Sequence, residues 1–350
     1  MFASWRRGPG RLLLSALSVI SAIALGMMAC ESGSTSETGT TKPSSPAAAG
    51  TGSGAASGTG RPTSGSSSAG GEQAGSGAAA PVIHYCTECD APATQGKLAN
   101  TAIDEASGMV ASRVHPGVLY VHNDSGDQPR FFAIGHAGQD LGQFDVMDAK
   151  AVDWEDIALG PCDGGHCLFI GDFGDNGESR TDYVVYRLPE PSTVRPGAQN
   201  LTSDAIGFEY PDGSHNAETL LADPTTGQLF IVTKVSSGPS DVYRFPKDIG
   251  PATTAVLTHV GTVQPPQGIA LITGGDAHAS GVLLRTYTHM FFYGFASGDI
   301  AASLAAEPCS VPTGFEVQGE TVAWAPDAQS YFTVSEGKSM PVYQTTCSAP

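Results

Sequence analysis

Glu218-Thr-Leu-Leu-Ala222, Pro224-Thr-Thr-Gly227, Gln228-Leu-Phe-Ile-Val-Thr233 and Val242-Tyr-Arg-Phe245 follow one another in the middle of the chain. An acid opens a short apolar run, a Pro/Gly turn follows, then a β-branched run and an aromatic run. Runs of this length bounded by turn formers read as strands. The same order occurs upstream at Glu105-Ala-Ser-Gly-Met-Val-Ala-Ser112, Val118-Leu-Tyr-Val121 and Arg130-Phe-Phe-Ala-Ile134. It returns at Glu155-Asp-Ile-Ala-Leu159, Cys167-Leu-Phe-Ile170 and Val184-Val-Tyr-Arg-Leu188. A copy without the opening acid is Gly268-Ile-Ala-Leu-Ile272, Gly281-Val-Leu-Leu284 and Phe291-Phe-Tyr293, and the last is Glu320-Thr-Val-Ala-Trp324, Tyr331-Phe-Thr-Val334 and Val342-Tyr343.

Glu105 to Glu155 is 50 residues, Glu155 to Glu218 is 63, and Glu218 to Glu320, across two copies, is 102. A period near fifty built of short strands predicts an all-β β-propeller of about five four-stranded blades. Fourth strands are expected at residues 141–146, 206–210 and 257–263. The last copy ends too soon to supply its own, so residues 97–101 are expected to complete it and close the ring, removing an exposed sheet edge. A sixth, irregular blade from residues 81–104 and an open β-sandwich are the competing architectures.

Outward from the repeats, the N-terminus gives an address. Arg6, Arg7 and Arg11 precede an uncharged apolar stretch over residues 12–29, the layout of a secretory signal. Met27-Met28-Ala29-Cys30 resembles a bacterial lipoprotein processing box, which implies cleavage before Cys30 and lipid on its thiol. The alternative is an uncleaved membrane anchor. Residues 31–80 are almost wholly Ser, Gly, Ala, Thr and Pro. Such a segment buries too little to offset its ordering entropy, and as a tether it spans about 40 Å. The domains read as 1–29 signal, 30–80 lipidated Cys and tether, and 81–350 propeller.

The chain carries 17 Lys+Arg against 35 Asp+Glu, a net charge of −18. Cleavage would remove three Arg and leave −21. A surface this acidic excludes binding to nucleic acid through phosphate neutralisation. The expected partners are a membrane, through the N-terminal lipid, and a small-molecule or envelope ligand. The expected location is the cell envelope outside the cytoplasm. Beyond Cys30 there are six Cys, an even number that reads as disulfides in that compartment. Cys162 and Cys167 flank a turn and form the expected local pair.

The motifs His122-Asn-Asp-Ser-Gly-Asp127, Asp153-Trp-Glu-Asp-Ile-Ala158, Gly171-Asp-Phe-Gly-Asp-Asn176, Asn216-Ala-Glu218, Val232-Thr-Lys234 and Leu284-Arg-Thr-Tyr287 carry a family resemblance. Over residues 102–338 they resemble a family of exported bacterial β-propeller proteins of largely unknown function. The chain is more distantly similar to phytase-like and gluconolactonase-like propellers. That likeness implies Ca2+ held by acids around a central channel, although neither family's full ligand set can be placed here.

In an antiparallel blade the start of the first strand and the end of the second share one face. Glu105, Asp124, Glu155, Asp172, Glu218 and Glu320 are therefore expected to converge on one rim and hold a divalent cation. Hard oxygen donors suit Ca2+. His122, Lys234, Arg285 and Tyr287 fall beside them as candidate ligand-binding residues, the two cations facing an anionic group. A competing role for each repeated Glu is structural, accepting hydrogen bonds from backbone N–H groups of the next blade. Trp154 reads as packing between blades, and Asp172 to Gly177 as a tight turn. No nucleophile elbow, P-loop or dinucleotide fingerprint occurs in the folded region. The leading expectation is a surface lipoprotein displaying a ligand-binding propeller. A Ca2+-dependent hydrolase (phosphoesterase, lactonase or glycosidase-like) and an inert spacer are the alternatives.

Overall fold

A computed structural model describes residues 88–251, 253–266, 271–295 and 299–347. The signal segment, Cys30, the tether and Cys86 lie outside the described residues.

The described chain is β-strand almost throughout. β1 is Ala93–Lys97; β2 to β5 are Ala106–Ala111, Val118–Asn123, Arg130–Gly135 and Asp140–Val146. β6 to β8 are Trp154–Cys162, Gly165–Asp172 and Tyr183–Pro189, β9 is Ala198–Leu201 and β10 is Asp204–Glu209. β11 to β13 are Ala217–Ala222, Leu229–Thr233 and Ser240–Arg244, β14 is Ala255–Val256 and β15 is Thr258–Val263. β16 to β18 are Ile272–His278, Gly281–Thr286 and Met290–Gly294, α1 is Ile300–Leu304, and β19 to β22 are Cys309–Val311, Ala323–Trp324, Ser330–Thr333 and Pro341–Thr346.

These strands form five sheets, ordered β2-β3-β4-β5, β6-β7-β8-β10, β11-β12-β13-β15, β16-β17-β18-β19 and β20-β21-β22-β1. They are the five blades of a β-propeller. β9 and β14 add short parallel edges to the first two. The inner strands β2, β6, β11, β16 and β20 touch in succession, and β20 returns to β2.

Ring closure falls four residues upstream of the expected segment: Ala93–Lys97 pairs with Pro341–Thr346, so residues 93–97 finish the fifth blade and do not build a sixth. The disulfide Cys89–Cys347 covalently joins the same two ends, and Cys162–Cys167 links β6 to β7 as expected. In the fourth blade the described inner strand is Ile272–His278, and residues 268–270 of the expected apolar run lie outside the described residues. That strand carries Gly274 and Gly275 where a Cβ would collide with the Glu320 carbonyl and with Leu284, so close approach to neighbouring strands favours glycine over bulk.

The inner strands are buried along nearly their whole length, with only the far ends of β6 and β16 partly exposed. The core is therefore divided into five inter-blade clusters, such as Tyr120, Phe131, Phe144, Trp154 and Ile170 between blades one and two. Trp154 is 1 % exposed, meets His122 edge-on at 5.6 Å and donates its indole N–H to the Lys150 carbonyl at 2.7 Å. It packs blades together, in line with the expectation from sequence.

One local irregularity positions the site. In the first four blades the pairing of the first two strands slips by one residue, at Ala106/Gly108, Trp154/Asp156, Ala217/Thr219 and Ile272/Gly274. A β-bulge inserts one residue that opposes no partner and is re-aimed by the local twist. The inserted residues are Ser107, Glu155, Glu218 and Thr273. In the fifth blade the same slip lies between the Gly319–Ser335 bridge and Ala323–Phe332, which gives Glu320 that place.

Candidate functional site

Two layers of side chains meet where the inner strands begin. The bulge residues Ser107, Glu155, Glu218, Thr273 and Glu320 make one layer. The residues just beyond the second strands, Asp124, Phe173, Lys234, Tyr287 and Glu336, make the other, with the Phe173 ring turned into the core between blades two and three. Backbone hydrogen bonds hold four of the second layer: Asp124 N–H to Glu105 at 2.8 Å, Phe173 to Asp153 at 3.1 Å, Lys234 to Asn216 at 2.9 Å and Glu336 to Gln318 at 3.0 Å. By this register Glu105 is the counterpart of Asp153, not of Glu155. It lies two residues ahead of the bulge and is exposed.

The result is a concentration of carboxylates at the axial mouth. Oxygens of Asp124, Asp153 and Glu155 lie within 4.8 Å of one another, as do those of Asp124, Glu320 and Glu336. Asp124 belongs to both groups. Glu218 is next to them and is held by the Lys234 ammonium, which also donates to the Tyr287 hydroxyl at 2.9 Å. Gly174 closes one side, since a Cβ there would collide with Glu155 Oε1 and Asp153 Oδ2.

Burial sets the protonation of these groups. It pushes Glu155 and Glu320 well above the usual carboxylate range, and the neighbouring charges push further. Burial raises Asp124 to about 6 and Glu218 to about 7, the latter against the pull of Lys234. Asp153 and Glu336 are raised as well, again chiefly by burial. Glu155 is 3 % exposed, and among the described residues neither of its carboxylate oxygens accepts a hydrogen bond. Glu218 Oε2 and Glu320 Oε2 are buried without a partner. Unpartnered buried carboxylate oxygens are costly unless a proton or cation meets them.

The other expected site residues are engaged elsewhere. Asp172 accepts from Arg180 at 3.0 Å and from the Asp153 N–H at 3.0 Å, so it orders the loop that presents Asp153. The following turn is built by Asp175, which accepts from Ser179 N–H, Arg180 N–H and the Tyr183 hydroxyl, each at 2.7 Å. His122 is fully buried between blades, its Nδ1 against its neighbour's carbonyl, and burial pushes it down to about 4. Arg285 does not face the mouth. It is 0 % exposed and paired with Glu316 at 3.0 Å.

Tying blades together through backbone N–H groups falls to other acids. Asp156 accepts from Leu220 N–H at 2.9 Å and Asp276 from Trp324 N–H at 2.8 Å, each reaching the next blade. Each lies one or more residues deeper in its strand than the bulge. The cation set expected from sequence includes neither Asp153 nor Glu336. Asp153 and Glu336 were nonetheless signalled in the sequence, by Asp-x-Glu in the second copy and by an acid following the second strand of the fifth.

The pH dependence of the cation-free protein follows from these shifts. An acid whose folded pKa is raised binds more protons in the folded state, so its contribution to stability is lost as pH climbs from its unfolded value near 4 through its folded value. For Asp124 and Glu218 that window ends at about 6 and about 7. The lowered His122 acts oppositely, costing stability as pH falls from 6.5 to about 4. Several raised acids outweigh the one histidine, so melting scans should show stability falling as pH rises from about 5 to about 8, by roughly 5 °C or more, the effect of a kcal/mol or two in a domain this size. A melting temperature that rises steadily to pH 8 without divalent ions would contradict this protonation of the mouth.

The protein is thus a five-bladed β-propeller with a carboxylate cluster at one end of its axis. No family model and no curated protein matches the sequence. Among solved structures it is similar to a provisionally assigned gluconolactonase, at 12 % identity over 74 % of this chain and 92 % of that one, with a TM-score of 0.38. It is also similar to the glutaminyl cyclase of Myxococcus xanthus, at 11 % identity over 74 % of this chain and 97 % of that one, with a TM-score of 0.40.

Proposed function

We propose that this protein is a lipid-anchored envelope protein whose propeller binds a divalent cation, Ca2+ by donor chemistry, at the axial carboxylates, and binds an oxygen-rich ligand through it. The observation that carries the reading is the convergence of Asp124, Asp153, Glu155, Glu320 and Glu336 together with the unpartnered buried oxygens of Glu218 and Glu320. An all-oxygen set of this kind fits Ca2+ and lacks the His or Cys donors that zinc or copper would draw on. Lys234, already committed to Glu218 and Tyr287, contributes a fixed positive charge beside the cluster. The hydrolase alternative uses the same cation and needs in addition a group that activates water. The acids raised toward neutral pH are the candidates for that part. Anchoring rests on the N-terminal charge layout and Cys30, and a diacylglyceryl group on Cys30 in the membrane fraction is the expected product.

A ligand present at a hundredfold over its dissociation constant stabilises the folded state by about 2.7 kcal/mol. Saturating Ca2+ should therefore raise the melting temperature of the full chain by roughly 5–10 °C. Glu155→Gln should lose most of that rise. No shift in the parent, or an equal shift in the variant, would overturn the cation reading.

A further inference from the structure

The cluster consists of two triads, Asp124/Asp153/Glu155 and Asp124/Glu320/Glu336, that share one residue. Resting on the cation reading above, we propose that the mouth holds two divalent cations, with the Asp124 carboxylate bridging them. The two remaining members of each triad come from different places in the ring. Asp153 and Glu155 enter from the second blade, and Glu320 and Glu336 from the fifth. Asp124 directly follows the second strand of the first blade, which lies between them in the ring order. Asp124 lies within reach of both triads, and its carboxylate has two oxygens to share between two ions.

Charge decides between one ion and two. The mouth carries six carboxylates, Asp124, Asp153, Glu155, Glu218, Glu320 and Glu336, and Lys234 neutralises one of them. Five negative charges remain if all are ionised. One divalent ion leaves three, and two leave one. Each triad also brings its own deeply buried carboxylate with unmet acceptor capacity. Glu155 is 3 % exposed and free of hydrogen bonds among the described residues; Glu320 is 4 % exposed with Oε2 unpartnered. A single ion placed in one triad would leave the other in the same unfavourable state. Gly174 supports the first triad separately, because any side chain there would occupy the space against Glu155 and Asp153. Gln318 supports the second, donating to Glu336 Oε2 at 2.7 Å and so orienting that carboxylate toward Glu320 and Asp124.

The test uses the purified full chain freed of metal by chelation. Calorimetric titration with Ca2+ should give two ions per chain. With Mn2+ at two equivalents, the isolated-ion six-line electron paramagnetic resonance spectrum should be replaced by a spin-coupled signal, because a shared carboxylate brings the ions within a few ångströms. Asp153→Asn and Glu336→Gln should each leave one ion per chain and restore the isolated spectrum. Asp124→Asn should abolish the coupling and weaken both ions at least tenfold. These isosteric changes each remove one of several repelling charges, so their melting temperatures in chelator should equal or exceed the parent's, which checks that the variants are folded. One ion per chain in the parent, or two ions whose signals remain uncoupled, would overturn the bridged pair while leaving the cation reading standing. No bound ion at all would overturn both.

Discussion

Replacing Cys89 and Cys347 together with Ser should destabilise the propeller by about 5 kcal/mol, the chain-entropy value for releasing a very long loop. The bond spans 258 residues of sequence and joins the two ends of the described ring. Around it the closure is held by non-covalent contacts alone: β1 pairs with β22, Asp90 N–H donates to the Thr346 carbonyl at 2.9 Å, and Leu98 N–H to the Met340 carbonyl at 2.9 Å. β1 is largely exposed, so it contributes little apolar burial of its own. Without the disulfide this strand should be the first to leave, exposing the edge of the fifth blade to pairing with another chain. Urea unfolding of the double variant and parent, compared at equal slope, measures the loss. A difference below 1 kcal/mol would show that strand pairing alone closes the ring.

Arg285→Met should cost about 3–5 kcal/mol, because it strands a buried carboxylate. The Arg285 and Glu316 side chains are 0 % and 1 % exposed. The guanidinium also donates to the Thr321 carbonyl at 2.6 Å, and Glu316 accepts from the Thr313 hydroxyl at 2.8 Å. This knot fixes the loop that carries Gln318 to Glu336, so the substitution should also weaken Ca2+ binding. Arg285→Met with Glu316→Met should recover most of the stability, since an apolar pair of similar volume is often as stable as a buried ion pair. Chemical unfolding of the three variants decides the matter. A single variant within 1 kcal/mol of the parent would mean that the Arg285–Glu316 pair does not hold this loop.

The two expectations that differ most from the structure share a cause. Sequence order groups Glu105 with Glu155, Glu218 and Glu320, because each precedes a small apolar run. The bulge adds one residue to the first strand, and its place is fixed by pairing with the second strand, which no single segment encodes. Ser107 occupies that place in the first blade and Thr273 in the fourth, so the mouth is acidic on some blades and neutral on others. Arg285 follows an apolar strand beside Tyr287, an order that suggests a ligand-facing side chain. Its partner Glu316 is 31 residues away, on a loop without periodicity to announce it.

The sequence by itself determined the all-β class, the repeat near fifty residues, the need for an early strand to close the ring, the local Cys162–Cys167 pair and the gathering of strand starts and strand ends on one face. Those features follow from local composition and from the geometry of an antiparallel pair, both of which reside within a few dozen residues. Only the tertiary structure decided which acids meet. Asp124, Asp153, Glu155, Glu320 and Glu336 come from three blades, and their approach depends on bulge register, ring closure and the burial that raises their pKa values. The same holds for the acids that clamp backbone, Asp156 and Asp276, which differ from the mouth acids by one or a few positions along a strand. Successive residues of a strand face opposite ways, so a shift that composition cannot register separates a structural carboxylate from one aimed at the axis.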